Sequence, residues 1–241
     1  MLGALASAVG VAAAASAGYQ SMSPTGQWFG KTFTGLPAGT RQLALTYDDG
    51  PNDPYTLRLL EVLARRDVRA TFFLIGRYVR QRPGIVQELV KAGHAIGNHT
   101  FTHPLLIFKT KAQIRREIVD CESALTEIRP VPQLPLFRPP FGGRRPEVLR
   151  VAREVGLQPV MWTIAGYDWK APSAEYIEEK LVRNVRGGEV VLLHDGGHKN
   201  FGADRSRTVE ATANSIKRYQ SEGYKFVTIP EMITQQQVSS H

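Results

Sequence analysis

Leu43-Ala44-Leu45-Thr46-Tyr47-Asp48-Asp49-Gly50-Pro51 is a short apolar run that ends in two adjacent carboxylates and a turn pair. An extended strand sends successive side chains to opposite faces, so neighbouring aspartates reach one site only where the strand breaks. Gly50-Pro51 is expected to supply that break. Two carboxylates so placed can divide the work of hydrolysis by metal-activated water, one gripping a cation and the other moving protons. Two later stretches carry matching partners, His99-Thr100-Phe101-Thr102-His103 and Leu192-Leu193-His194.

Outward from this run, apolar stretches alternate with amphipathic ones. Strands are expected over 43–47, 70–75, 95–97, 136–138, 159–163, 190–194 and 225–228. Helical patterns cover 54–66, 78–92, 146–155, 174–185 and 207–222. The clearest starts at Thr110, where Gln113 completes a capping box and Ile114, Ile118, Cys121, Leu125 and Ile128 repeat along one face. Cys121 reads as a small core residue; being the single cysteine, it forms no internal disulfide and says nothing about compartment.

This alternation predicts an α/β fold with parallel strands and helices outside, either a barrel or an open doubly wound sheet. The polar landmarks decide between the two. Asp48 and Asp49 follow the first strand, His99 and His103 the third, and Asp168 the fifth, while Arg138 closes the fourth and His194 ends the sixth. All lie at carboxyl ends, which a barrel gathers around one mouth and an open sheet spreads along an edge. The expected fold is a distorted, incomplete (β/α) barrel.

The 241 residues suffice for one sizeable core, read here as a catalytic domain over 31–241. Net charge is +8, yet basic pairs such as Arg65-Arg66, Arg115-Arg116 and Arg144-Arg145 are scattered. No aromatic-interleaved basic tract suggests a nucleic-acid groove, and a monomer is expected. Residues 1–30 carry no charged side chain, and 2–17 form an Ala-rich apolar run resembling a signal-peptide core or membrane anchor. That run lacks a basic flank and is shorter than the roughly 20 residues of a comfortable span. An extracytoplasmic protein, secreted or membrane-anchored, is expected; the competing reading is an Ala-rich helix packed on the domain.

His99 and His103 are four apart, so on a helical turn they would project from one face, with Asp49 as third ligand and positions left for water and substrate. Nitrogen-rich coordination favours zinc or another first-row ion over magnesium or calcium. Two histidines and a carboxylate also suit an iron-dependent oxygenase, but that reading gives Asp48, Arg138 and His194 nothing to do. A noncatalytic carbohydrate-binding barrel leaves all the landmarks unexplained.

Five stretches occur in order: Thr46-Tyr47-Asp48-Asp49-Gly50-Pro51, His99-Thr-Phe-Thr-His103, Arg138-Pro-Pro-Phe-Gly142, Asp168-Trp169 and Leu192-Leu193-His194. Together they resemble the polysaccharide deacetylases of the chitooligosaccharide deacetylase (NodB-like) homology family, carbohydrate esterase family 4, over about 41–232. The resemblance implies a distorted barrel short of eight repeats and one divalent ion, usually zinc, sometimes cobalt or another divalent metal. It implies removal of N-acetyl groups from N-acetylglucosamine units of chitin-like chains or peptidoglycan. Acetyl-xylan O-deacetylation is the nearest alternative, and deformylation of lipid-linked sugars a weaker one.

By the same resemblance, Asp48 is the catalytic base, Asp49, His99 and His103 hold the metal, and His194 is the general acid. Arg138 would hold Asp48 ionised, Asp168 would orient His194, and the backbone N–H of Phe141 would face the oxyanion. Trp169 would line the sugar pocket and Leu192 the acetyl methyl, whereas Trp162 reads as a core aromatic. The chain departs from the family pattern at Tyr47, where Phe is common, at Phe141, where Tyr is common, and at Ala165, where many relatives are acidic. The Gly-rich stretch 195–204, which contains His198, is read as a flexible connection, with a substrate-covering loop and an extra metal contact as alternatives.

Overall fold

The computed structural model describes residues 13, 15–129 and 134–239. Its sheet is built from β1 (Gln42–Gly50), β2 (Thr71–Leu74), β3 (Ala95–Asn98), β4 (Leu136–Phe137), β5 (Gln158–Pro159), β6 (Ile164–Ala165) and β7 (Val190–His194). The lateral order is β5-β4-β3-β2-β1-β7-β6, and β8 (Lys225–Phe226) pairs with the start of β1. Every strand pairing among the described residues is parallel. The helices are α1 (Tyr55–Ala64), α2 (Gly76–Gln81), α3 (Pro83–Lys91), α4 (Lys111–Thr126), α5 (Pro146–Glu154), α6 (Ala174–Asn184), α7 (Ser206–Ser221) and α8 (Ile229–Ser239).

A strand covered on both faces needs a nearly continuous apolar run, and β1 is buried from Leu43 to Gly50. Leu43, Leu45 and Tyr47 share one core with Leu59 and Leu63 of α1 and Ile216 of α7. Ala44, on the opposite face, joins Phe73, Leu136, Val190 and Phe33 in a second core inside the curved sheet. Ile229, Met232 and Ile233 of α8 close that inner core. Following the inner face along β1, apolar Ala44 gives way to Thr46 and then Asp48, so the lining turns polar toward the carboxyl end.

The barrel is incomplete, as expected, and its opening lies between β5 and β6. An N-terminal segment partly fills the gap: Phe33 bridges Val160 in parallel and Gly35 bridges Glu189 in antiparallel fashion. This pairing corrects the strand expected over 159–163. Val160 and Met161 bond to β4 and Phe33 rather than continuing a strand, and the chain crosses from the β5 edge to the β6 edge.

Two further expectations change. The helix expected over 78–92 is two helices, because Pro83 removes a donor and forces Arg82 out of helical geometry, at φ −136° and ψ 54°. The strand expected over 225–228 stops at Phe226, since the Thr228 N–H and hydroxyl turn to the Glu231 carboxylate, which starts α8. The capping box at Thr110 and Gln113 is formed as expected.

Residues 15–22 are helical. The stretch that follows is fastened to the barrel by buried Arg144, whose Nη2 donates to the carbonyls of Ser23 and Gly26, while its N–H donates to Ser21. The rest of the apolar run, 1–12 and residue 14, lies outside the described residues. No helix among the described residues is long and apolar enough to cross a membrane.

Candidate active site

Register places the first pair of functional groups. Asp48 of β1 is the parallel partner of His194 of β7, so a carboxylate and an imidazole stand side by side at the barrel mouth. Asp48 points inward by strand alternation, which alone would send Asp49 outward. The break that brings Asp49 back is at Asp49 itself, not at Gly50-Pro51: its φ is 75°, and the pairing with β2 shifts register between Asp48 and Gly50. Gly50 then permits a close approach of the β7 end, since a Cβ there would lie 2.1 Å from Asp195 Oδ2.

His99 and His103 also converge by a different route from the one expected. They lie on a loop, not a helical turn, and both Thr100 and His103 have positive φ, 67° and 63°. Side-chain hydrogen bonds hold this shape: Thr100 N–H donates to Asn98 Oδ1 (2.9 Å), and His103 N–H donates to Thr100 Oγ1 (3.1 Å). Ligating atoms of Asp49, His99 and His103 all lie within 4.8 Å of one another, and all three residues are buried. Asp49 Oδ1 is 3.1 Å from His103 Nε2 and 3.6 Å from His99 Nε2, with no recorded hydrogen bond.

This donor set fits a divalent cation. His99 Nδ1–H donates to the Arg138 carbonyl (2.7 Å), which fixes the tautomer and leaves the Nε2 lone pair facing Asp49. Burial pushes the His99 pKa down to about 4 despite the pull of Asp48, so this imidazole is neutral at ordinary pH. Burial alone would raise Asp49, but the facing rings of His103 and His198 and the charge on His194 hold it well below the usual carboxylate range. A neutral imidazole and an ionised carboxylate are the ligating forms.

Asp48 is held differently. Its Oδ1 accepts from Arg138 Nη1 at 2.7 Å, and the same nitrogen donates to Thr46 Oγ1 at 2.8 Å. Arg138 is fully buried, donates from Nη2 to the Met161 carbonyl (3.1 Å), and lies 4.0 Å from the Phe73 ring centroid. Removing one member of a buried ion pair leaves the other uncompensated. Arg138→Met is therefore expected to destabilise the metal-free protein by about 3–5 kcal/mol, read from urea unfolding midpoints at constant m value.

Across the mouth, His194 Nδ1–H donates to Asp168 Oδ1 (2.8 Å), while Asp168 Oδ2 accepts from the His194 N–H and the Thr208 hydroxyl, each at 2.8 Å. Burial opposes the charge on His194, yet Asp168, then Asp49 and Asp48, raise its pKa to about 9. Asp168 is lowered: burial raises it, and the His194 charge and hydrogen bonds outweigh burial. Asp48, Asp49, His99, His103 and His194 line one cavity of about 490 Å³ together with Phe141, Trp162, Trp169 and Leu192, with Arg138 and Asp168 buried behind Asp48 and His194. Phe141 and Trp169 are 47% and 46% exposed, apolar rings at an open mouth. Phe141 lies in the short turn Pro140–Gly142 in a left-handed conformation, at φ 57° and ψ 9°.

Residues 36–160 match the family model described as polysaccharide deacetylase. A peptidoglycan-N-acetylglucosamine deacetylase of Bacillus cereus is 36% identical over 200 residues, covering 82% of this chain and 91% of that protein. The chain belongs to the polysaccharide deacetylase family. A chitooligosaccharide deacetylase of Sinorhizobium fredii is 33% identical over 80% of this chain and 92% of its own length. The fold matches a solved peptidoglycan N-acetylglucosamine deacetylase at TM-score 0.77 and 32% identity, covering 83% of this chain and 92% of that one.

Of the site residues named from the sequence of this polysaccharide deacetylase family member, Arg138 and Asp168 are buried behind Asp48 and His194, and the others line one mouth. Trp162, expected as a core aromatic, packs on the inner core but also lines the cavity. The stretch 195–204 is no loose connection, because His198, Lys199 and Asn200 line the cavity and its backbone is bonded to Asn52, Arg77 and Arg205. Sequence reading missed the supports Thr46, Thr208 and Asn52, and buried Asp195, whose carboxyl accepts from Thr56 Oγ1 and is raised by burial to about 7. Asp195, adjacent to His194, and Thr46, at the head of the first motif, carried a signal in the chain.

Proposed function

We propose that this chain hydrolyses N-acetyl groups on N-acetylglucosamine units of a polysaccharide, peptidoglycan or a chitin-like chain, using one divalent ion, most simply zinc. The observation that carries the proposal is the division of the two aspartates. Asp49 faces the two imidazoles, while Asp48, buried beside them, is bonded to Arg138 and paired in register with His194. An oxygenase site has no use for that second carboxylate and opposed acid, whereas amide hydrolysis needs both.

A divalent ion held by Asp49, His99 and His103 would make water more acidic and stabilise negative charge on the acetyl oxygen. Asp48 takes the proton from water as it adds to the carbonyl carbon. Arg138 occupies Asp48 Oδ1, so Oδ2 is the oxygen free to receive it. The Phe141 N–H offers a donor to the developing oxyanion. His194, bonded to Asp168 through Nδ1, gives its Nε2 proton to the nitrogen as the C–N bond breaks, releasing acetate and a free amine. Leu192, Trp162 and Trp169 offer an apolar wall to the methyl group and the sugar.

Peptidoglycan and chitin-like polymers are both supported by the named relatives. Location outside the cytoplasm, secreted or anchored by the uncharged stretch 1–30, is part of the same proposal, because such polymers lie there. The test is acetate release from acetylated chitooligosaccharides, peptidoglycan and acetyl-xylan, with the metal stripped by chelator and then restored. Anaerobic release from an N-acetyl substrate, abolished by stripping and recovered with zinc, is expected. Cleavage of acetyl-xylan alone would overturn the amide assignment.

A further inference from the structure

We propose that His198 is a positioning residue of the metal centre, holding Asp49 and His103 in place for the ion from outside the Asp49, His99, His103 triad. The inference rests on the metal-dependent reading of the site. It starts from a difference between the two histidines of the triad. The ring of His99 is fixed by its hydrogen bond to the Arg138 carbonyl, whereas His103 Nδ1 is buried with no recorded hydrogen-bond partner. Something other than a hydrogen bond must set the His103 ring.

His198 lies where that support is needed. Its ring is stacked on His103, centroids 4.6 Å apart and planes 22° from parallel, and lies nearly perpendicular to Phe141 with centroids 5.1 Å apart. His198 Nδ1 is also 3.6 Å from Asp49 Oδ2, the oxygen that does not face His103 and His99. A ring nitrogen beside one carboxylate oxygen leaves the other oxygen to face a cation, the service an outer group gives at a metal site.

The loop carrying His198 is fastened on both sides, so the ring has a defined place. Arg77 donates to the His198 carbonyl, Tyr78 Oη donates to the Gly197 carbonyl (3.2 Å), and Arg205 Nε donates to the Gly196 carbonyl (2.7 Å). Asn52 closes the far end through Gly202 and Ala203, each at 2.9 Å. The His198 side chain remains 31% exposed, so its replacement leaves the cores untouched.

The test is binding of zinc alone to the metal-stripped full chain, by competition with a chromophoric chelator, for wild type, His198→Ala and His198→Phe. The alanine variant is expected to bind zinc about 10–100-fold more weakly. The phenylalanine variant, which keeps a ring against His103 but no donor, should lose less, and all three stripped proteins should unfold at the same temperature. Indistinguishable zinc affinities for wild type and His198→Ala would overturn the proposal while leaving the metal centre standing. Failure of the wild type to bind one zinc per chain would overturn both.

Discussion

Asp48→Asn is expected to lower kcat for acetate release by about 10²–10⁴-fold while the protein still binds one divalent ion per chain. In transition-state terms the loss is about 3–5 kcal/mol. Asparagine keeps the shape and can still accept from Arg138, but it takes no proton from water. The triad of Asp49, His99 and His103 is untouched by the change, so metal affinity should stay near that of the wild type. Turnover and metal content of the same preparation decide the matter. Full turnover would remove Asp48 from its role, and loss of the ion together with turnover would make Asp48 a ligand, since its Oδ2 lies 3.6 Å from His99 Nε2.

How the two aspartates come to differ shows what a linear chain conveys. Residue type and order at strand ends were enough to gather Asp48, Asp49, His99, His103, Arg138, Asp168 and His194 around one mouth, because parallel strands share a direction. The inner face of β1 was legible for the same reason, as alternation is a property of the backbone. The local devices were not legible. A bulge at Asp49 depends on a register shift against β2, and the loop from His99 to His103 is shaped by backbone hydrogen bonds to the side chains of Asn98 and Thr100 that compete with a helical turn. The same spacing of two histidines serves either geometry.

Long-range pairing was the other blind spot. Nothing in 159–163 announces that Phe33, far away in sequence, takes the place of a neighbouring strand. Trp162 follows from that crossing: at the gap between the two sheet edges it touches both the inner core and the cavity. The loop after β7 was read as loose because glycine and polar residues dominate it. Its order comes from Asn52, Arg77 and Tyr78, all distant in sequence, whose side chains bond its carbonyls. The α8 helix escaped notice because its Glu231 start signal interrupts an apolar strand-like run.

The second large effect falls on His194. His194→Gln is expected to lower kcat by about 10²–10⁴-fold, because the leaving amine then departs without a proton from the protein. Its pH signature separates this role from a structural one. Burial opposes the imidazolium, but Asp168, followed by Asp49 and Asp48, raises its pKa from 6.5 to about 9. The acid form is therefore lost as pH rises through that region, giving wild-type kcat an alkaline fall that the variant should lack. A divalent ion beside Asp49 and Asp48 offsets their pull, so NMR titration of the His194 ring should give a lower pKa in the zinc-loaded protein than in the stripped one.

Stability follows the same sign. A pKa raised on folding means that the His194–Asp168 pair contributes its full stabilisation below about pH 6.5 and loses it as pH rises toward about 9. The gap in unfolding free energy between metal-free wild type and His194→Gln should accordingly narrow across that interval. A gap that widened with pH, or a variant that kept the alkaline fall in kcat, would take the proton-donating role away from this imidazole.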